Sequence, residues 1–389
     1  PPAARLRRTR SGPVEGMAGS ILRVGLDGTP LLGRRTGVGR YTENLMNALV
    51  RRDDVRASAV AFTLRGGGGL PDAVPAGVTA RAIRLPARVL NAAWSRSEFP
   101  PISLLTRGLD VYHGTNFVLP PTGRAGGVMM IHDIAYLTMP DVVDDASQAL
   151  RTLVPRGLRR AAAVVTPSQT TADRVREAYG SIVPEVVVTP LGVDPLWLAA
   201  VPPSTADRAR LGLPADYLLF VGTREPRKDL ATLVAAYGRL RASSGSSVPE
   251  LLLVGPPGWG PDLEQAPGVR LHDYAPIEDL AQIVAGARAL VMPSRDEGFG
   301  LPALEALATG TAVIVSDIPA LREVTGDQAV AVFQVGDVEA LTEALRGTLT
   351  APTGPDGDAD RARRRSYAAG WTWDRCAERT VRAYRIAAG

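Results

Sequence analysis

Cysteine is almost absent from this sequence: Cys376 is the only one among 389 residues. A single thiol excludes an internal disulfide and a cysteine metal cluster, and it is consistent with a reducing compartment. Histidine is scarce as well, with three residues in the whole chain. This scarcity disfavours any mechanism that needs several histidine acid and base groups.

An excess of charge of one sign is also missing. Lys and Arg number 44 against 40 Asp and Glu, a balance of +4, so the pI near 9.5 reflects arginine richness. The arginines are dispersed rather than clustered, which disfavours a nucleic-acid-binding protein. Residues 1–20 are basic and proline-rich without an apolar core. We expect a disordered extension there, neither a signal peptide nor a membrane span.

The hydrophobic content of 45% and the charged content of 22% are typical of a globular protein. The length allows two domains, each with its own core. Short apolar runs alternate with helical segments from residue 23 onward, a pattern that predicts an α/β fold with parallel sheets. A linker is expected at residues 202–205, where Pro-Pro-Ser-Thr occurs.

The most informative stretch, residues 289–324, predicts a strand, a loop and a helix. The loop glycines Gly298 and Gly300 allow a ligand to approach the unpaired N–H groups of the helix start, where an anion fits. Glu297 and Glu305 bracket this turn. A carboxylate repels phosphate, so both are better suited to accept hydrogen bonds from sugar or ribose hydroxyls. The combination indicates a sugar nucleotide.

A second charged turn, residues 225–228, follows an apolar strand and opens a helix. Arg227 and Lys228 are adjacent cations at a helix N-terminus, where the helix dipole disfavours them, so a negative partner is expected. A diphosphate would serve, and the two cations would then replace a divalent metal. The Asp-x-Asp matches at Asp356, Asp358 and Asp360 lie in a polar stretch, residues 351–366, that is expected to be a loop. We therefore predict no metal.

The N-terminal half begins with a strand at residues 23–27, the glycines Gly37 and Gly39, and a helix expected from Tyr41 to Arg51. The spacing is not a complete dinucleotide fingerprint and no Walker lysine follows, so NAD and a P-loop are not supported. His113 and His132 lie at predicted strand ends, where ligands of open α/β sheets collect. For His113 a structural role remains the default.

The loop at residues 297–302, together with Glu305, resembles the paired-glutamate signature of the retaining family-4 glycosyltransferases, and the similarity continues along almost the whole chain. It implies a GT-B fold with two Rossmann-like domains facing each other across a cleft. Residues 21–200 would bind the acceptor and residues 201–370 the nucleotide sugar. Residues 371–389 would form a helix that crosses back to the first domain.

The resemblance also implies the site residues. Those expected to bind the donor are Gly37, Gly39, Arg227, Lys228, Tyr274, Gly298, Phe299, Gly300, Leu301 and Glu305. Those expected to be catalytic are His132, Glu297, Arg227 and Lys228. Thr223 stands where close relatives often carry an arginine, with Arg224 behind it, and this departure leaves the role of Arg224 open.

The expected activity is therefore a retaining, metal-independent hexosyl transfer without a cofactor. GDP-mannose is the favoured donor over UDP- or dTDP-sugars, and the acceptor is a hydroxyl of a glycan, a lipid-linked sugar or a small molecule. The alternatives are a sugar-nucleotide epimerase of the same fold and a non-catalytic nucleotide-binding protein. We expect a cytoplasmic enzyme. The basic amphipathic stretch at residues 150–163 offers peripheral contact with the inner face of the plasma membrane, although a solvated face is favoured there.

Overall fold

The computed structural model describes residues 21–33, 37–63, 67–244, 248–259, 266–350 and 355–389. The predicted extension over residues 1–20 lies outside the described residues. The strands, in chain order, are β1 (Leu22–Asp27), β2 (Val55–Phe62), β3 (Thr79–Ile83), β4 (Val111–Gly114), β5 (Gly126–Met130), β6 (Ala163–Thr166), β7 (Glu185–Val188), β8 (Tyr217–Val221), β9 (Glu250–Val254), β10 (Val269–His272), β11 (Ala289–Met292), β12 (Ala312–Ser316) and β13 (Ala331–Phe333).

The α-helices connect these strands. In chain order they are α1 (Gly37–Val50), α2 (Leu70–Ala73), α3 (Ala87–Trp94), α4 (Ile102–Leu105), α5 (Ala135–Thr138), α6 (Asp145–Gln148), α7 (Leu150–Arg160), α8 (Gln169–Tyr179), α9 (Pro195–Ala199), α10 (Thr205–Leu211), α11 (Leu230–Ser244), α12 (Ile277–Gly286), α13 (Leu301–Thr309), α14 (Pro319–Thr325), α15 (Val338–Leu349), α16 (Pro355–Ala369) and α17 (Trp373–Ala388).

Two parallel sheets organise the chain. The first has the order β3-β2-β1-β4-β5-β6-β7 and the second the order β10-β9-β8-β11-β12-β13. Strands such as β11 are apolar and buried along their whole length because helices cover both faces of each sheet. The strand order reverses between β1 and β4 and again between β8 and β11, and such switch points open the crevices that bind ligands.

The last helix, α17, packs on the first sheet, as predicted. Tyr384 of α17 contacts His113 of β4, with 2.8 Å between the hydroxyl and Nδ1. Cys376 lies against the Thr189 carbonyl. The chain therefore returns from the second sheet to the first, and this confirms the predicted crossing helix.

Two local predictions were wrong. The stretch at residues 351–366 was expected to be a loop, yet Pro355–Ala369 forms helix α16. Its alanines and arginines are strong helix formers, and Arg364 donates from Nε to the Gly310 carbonyl at 2.9 Å, which anchors α16 to the end of α13. Helix α1 begins at Gly37 rather than at Tyr41. The low helix propensity of glycine disfavours it in a helix interior, but glycine can occupy a first turn.

Candidate active site

The 296–300 loop joins β11 to α13 and lies against the first domain. A Cβ added to Gly298 would stand 1.7 Å from the carbonyl oxygen of His132, so only glycine fits this approach. Gly300 has φ +96°, a left-handed conformation in which L side chains are strained, and α13 begins immediately after it. Pro302 lies in the first turn of α13, where its missing N–H leaves no helical hydrogen bond unmade.

Glu297 is the centre of a buried ion cluster. Its carboxylate accepts hydrogen bonds from Lys228 Nζ at 2.6 Å, Ser294 Oγ at 2.7 Å and Arg227 Nη1 at 3.3 Å. Burial by itself would raise the pKa of Glu297, but Lys228 and Arg227 outweigh that effect and leave the pKa below its ordinary value. Glu297 is therefore a carboxylate held between two cations.

Arg227 and Lys228 lie on a single 3₁₀ turn, Pro226–Lys228, that follows β8. Arg227 also donates to Glu225 at 2.7 Å and to the Asp296 carbonyl at 2.8 Å. Asp229, the next residue, has φ +48°, a conformation that costs a non-glycine residue free energy and that often occurs at binding sites. In the structure, the negative groups beside these two cations include Glu297 and Glu225.

Lys228 has a compositional distinction as well. It is the only lysine among the 44 Lys and Arg residues of the chain. An ammonium group is compact and has three rotatable donors, whereas a guanidinium is planar with a fixed fork of donors. A chain that otherwise uses arginine throughout, yet has lysine here, indicates a contact that a guanidinium does not make.

Glu305 lies on α13 and is 3% exposed. It forms an ion pair with Arg40 of α1, which reaches across from the first domain. Burial lowers the pKa of Arg40 to about 10, and its guanidinium carbon lies 5.6 Å from the ring centroid of Trp197. Within the described part of the chain, Arg40 Nε is buried without a hydrogen-bond partner.

His132 follows β5 and borders the 296–300 loop. Its Nε2 lies 2.9 Å from the Thr115 carbonyl. Because a carbonyl only accepts, this nitrogen carries the proton and Nδ1 is left as the acceptor. Burial lowers the pKa of His132, so the ring is neutral at neutral pH. Its ring packs edge-on against Tyr41, with 5.2 Å between centroids.

Sequence models of two families match the chain. "Glycosyl transferase 4-like domain" matches residues 36–192, and "Glycosyl transferases group 1" matches residues 215–351. The second match contains the Glu297 cluster, and the first contains Arg40 and His132. The chain belongs to the group 1 glycosyltransferases.

Curated relatives agree with this membership. The chain is 29% identical to O-antigen chain mannosyltransferase B of Escherichia coli, over 71% of this chain and 74% of that protein. It is 34% identical to the D-inositol 3-phosphate glycosyltransferase of Kineococcus radiotolerans, over 54% of each chain. The chain thus spans about half the length of the second relative.

Solved structures show the same fold. Sucrose-phosphate synthase of Thermosynechococcus elongatus matches with a TM-score of 0.69 at 19% identity, over 94% of this glycosyltransferase and 98% of that chain. Anabaena HepE in complex with UDP and glucose matches with a TM-score of 0.64 at 16% identity, over 93% and 98%. The predicted GT-B type α/β fold is confirmed.

The remaining predicted site residues of this glycosyltransferase take varied positions. Phe299 is buried, and its ring packs against Trp371 at 5.7 Å between centroids. Leu301 is half-buried at the start of α13. Gly37 is exposed and Gly39 is buried in the first turns of α1. Tyr274 is 44% exposed. Their donor-binding roles stay predictions.

Arg40 is the functional candidate that sequence reasoning missed. It follows Gly39 directly, so the glycine motif already included it, but nothing in the sequence marked it as the partner of a glutamate 265 positions later. Among the described residues, no group of three or more His, Cys, Asp or Glu side chains could hold a metal ion. In the same part of the chain, no helix is long and apolar enough to cross a membrane.

Proposed function

We propose that this chain is a retaining, metal-independent glycosyltransferase. It moves a hexosyl unit from a nucleotide-diphosphate sugar, with GDP-mannose favoured, to a hydroxyl of a glycan, a glycolipid or a small metabolite. The observation that carries the proposal is the contact of Lys228 and Arg227 with Glu297 of the 296–300 loop, at the switch point of the second sheet. The mannosyltransferase of Escherichia coli among the relatives supports the donor sugar, and HepE was solved with UDP and glucose.

The leaving diphosphate gains negative charge as the glycosidic bond breaks. Lys228, Arg227 and the N-terminus of α13 stabilise that charge, an interaction that is strongest in a buried site with fixed donors. Because Glu297 already holds both cations in place, they need not reorganise when the phosphates arrive. Protein cations thus take the part that a divalent ion plays in metal-dependent enzymes.

The two glutamates divide the polar contacts of the donor. Glu297 accepts hydrogen bonds from hydroxyls of the transferred sugar, and Glu305 accepts them from the ribose diol. A bound ribose competes with Arg40 for the Glu305 carboxylate. Donor binding is therefore coupled to the position of α1, which carries Arg40.

The surroundings of Glu297 limit the routes by which configuration could be retained. A carboxylate held by two cations is a weak nucleophile, so Glu297 is not suited to form a covalent sugar intermediate. We infer a front-face substitution in which the leaving phosphate takes the proton of the acceptor hydroxyl. Neutral His132, with Nδ1 as its acceptor, orients a hydroxyl at the junction of the two substrates. Use of a nucleotide sugar would place the reaction in the cytoplasm, and a lipid-linked acceptor would bring the enzyme to the inner face of the plasma membrane.

Transfer can be tested directly. Purified enzyme is incubated in EDTA with GDP-mannose, UDP-glucose or dTDP-glucose and a panel of hydroxyl acceptors, and the anomeric configuration of the product is determined by NMR. Glycosylated product with the α-configuration of the donor supports the proposal. Dependence on added magnesium or manganese, or a β-linked product, would contradict it.

Binding can be followed at a single atom. Because Lys228 is the only lysine, protein grown with ¹⁵Nζ-lysine has one lysine side-chain resonance. GDP should shift that resonance, with GMP as the comparison lacking the second phosphate. An epimerase would instead convert the nucleotide sugar into an isomer of the same mass without any acceptor. Chromatography of the same reaction separates such an isomer from the donor.

A further inference from the structure

Helix α8 of the first domain begins against the second domain, and its first backbone N–H groups are all bonded. Gln169 N lies 2.7 Å from Oε1 of Glu323, and Thr170 N lies 3.0 Å from Oε2. The Thr170 hydroxyl also donates to Glu323, at 3.0 Å. Ser168 accepts from the next amide, that of Thr171, at 3.0 Å. A carboxylate of one domain thus caps a helix of the other.

Glu323 is not among the site residues that the sequence predicted. In the structure it lies on α14, and its two oxygens take three hydrogen bonds from the start of α8. A negative charge at a helix N-terminus is favoured by the helix dipole. Its neighbour Arg322 instead forms an ion pair with Asp317 of the same domain, at 2.8 Å. The contact between domains is therefore specific to Glu323.

The same end of α8 holds the 296–300 loop. Ser168 Oγ donates to the Gly298 carbonyl at 2.6 Å, and Thr171 Oγ1 donates to it at 3.1 Å. One turn further along α8, Arg174 pairs with the buried Asp296. The loop is thus bonded to α8 at two points, one on the backbone and one on a side chain.

A peptide group is planar and trans, so its C=O and N–H point in opposite directions. Fixing the Gly298 carbonyl therefore fixes the direction of the Phe299 N–H, which belongs to the same peptide. That amide lies in the loop, two residues before α13 begins at Leu301. Any displacement of the first turn of α8 would rotate it.

We propose that Glu323 is an interdomain positioning residue, which holds the first turn of α8 in the place from which Ser168 and Thr171 orient the 296–300 loop for the donor. The loop part of this inference rests on the proposed function, because it assumes that the loop binds a nucleoside diphosphate. The coupling of Glu323 to the loop does not depend on that assumption. Glu323 acts through α8 and touches no substrate.

Hydrogen exchange tests the coupling without any ligand. The unaltered protein is compared with Glu323→Ala, Glu323→Gln and the matched control Arg322→Gln, which removes a neighbouring ion pair within one domain. We expect Glu323→Ala to speed exchange in peptides that cover residues 168–172 and also in peptides that cover residues 296–300. Glu323→Gln keeps one acceptor oxygen, so its exchange rates should fall between those of Glu323→Ala and the unaltered protein. The exchange rates of Arg322→Gln should match those of the unaltered protein.

Nucleotide binding supplies the second readout, with GDP and UDP measured by calorimetry. Glu323→Ala should weaken binding of the preferred nucleotide roughly tenfold, a change of one power of ten in Kd, while Arg322→Gln leaves it unchanged. Faster exchange confined to residues 168–172, or unchanged nucleotide affinity in Glu323→Ala, overturns the positioning role and leaves a local helix cap. If the unaltered protein binds neither nucleotide, the proposed function fails, and the exchange data still decide whether Glu323 acts on the loop.

Discussion

Lys228 Nζ lies 2.6 Å from Oε1 of Glu297, although the two residues come from different strand-to-helix turns. Each group needs the other. A buried carboxylate without a cation would be protonated, and a buried charge of either sign is costly without a partner. The pair therefore keeps both charges in a place where the first would contact the sugar and the second the diphosphate.

Replacement of Lys228 by arginine should not preserve activity. Arginine keeps the charge, but its planar fork cannot take the place of a compact ammonium beside Glu297 and Ser294. We expect kcat for sugar transfer to fall roughly 100-fold or more, the size of effect seen when a fixed charge-stabilising donor is removed. The control is Arg239→Lys, which makes the reverse exchange at an exposed ion pair with Glu339. Wild-type turnover in Lys228→Arg would contradict the role of the ammonium.

Gly298→Ala should disable the site through the backbone. The new Cβ would lie 1.7 Å from the His132 carbonyl, so the loop or the first domain must move. We expect loss of transfer activity and a lower melting temperature. Gly347→Ala is the matched control, because Gly347 lies on the helix α15 and a Cβ there meets no atom within 4 Å. That substitution should stabilise the protein by about 0.5–1 kcal/mol. Equal activity in both variants would show that the approach of the two domains is not required.

The Arg40 and Glu305 pair predicts a coupled effect on stability. Glu305→Gln leaves the buried guanidinium without its carboxylate, which should lower the free energy of unfolding by roughly 3 kcal/mol. Adding Arg40→Met removes the unpaired charge, so the double variant should recover much of that loss. Chemical denaturation of the four proteins gives the coupling energy. The exposed pair Arg239 and Glu339 should show a coupling below about 1 kcal/mol. Additive losses at Arg40 and Glu305 would contradict the pairing.

The sequence predicted the parts of the fold that depend on local pattern. The apolar runs identified buried parallel strands, and the glycines at 298 and 300 marked a turn before a helix that the structure contains. Contacts between the two domains could not be predicted from such local patterns. The pairing of Arg40 with Glu305 and the cap that Glu323 places on α8 join residues distant in sequence, and no local pattern encodes such distances. Helix α16 was misread as a loop because its polar composition was given more weight than the helix propensity of its alanines and arginines, and its anchoring contact with Gly310 is tertiary.

The buried pair of His113 and Tyr384 predicts how stability depends on pH. Burial, with a smaller effect of nearby His132, lowers the pKa of His113 to about 3. The unfolded chain binds a proton there below about pH 6.5, whereas the folded protein does not until about pH 3. The unfolded state therefore binds more protons in this window, and stability is fully present above about pH 6.5 and falls as the pH decreases towards 3.

Substitution isolates this contribution from the carboxylates that also titrate in acid. His113→Gln removes the hydrogen bond to Tyr384, so it should lower the free energy of unfolding at pH 7.5 by about 1–3 kcal/mol. The difference from the unaltered protein should then narrow as the pH falls to 4.5, because glutamine cannot bind a proton. Urea unfolding of both proteins between pH 7.5 and pH 4.5 measures this difference in the free energy of unfolding. A curve for His113→Gln that runs parallel to that of the unaltered protein would refute the assignment of the pH dependence to this buried imidazole.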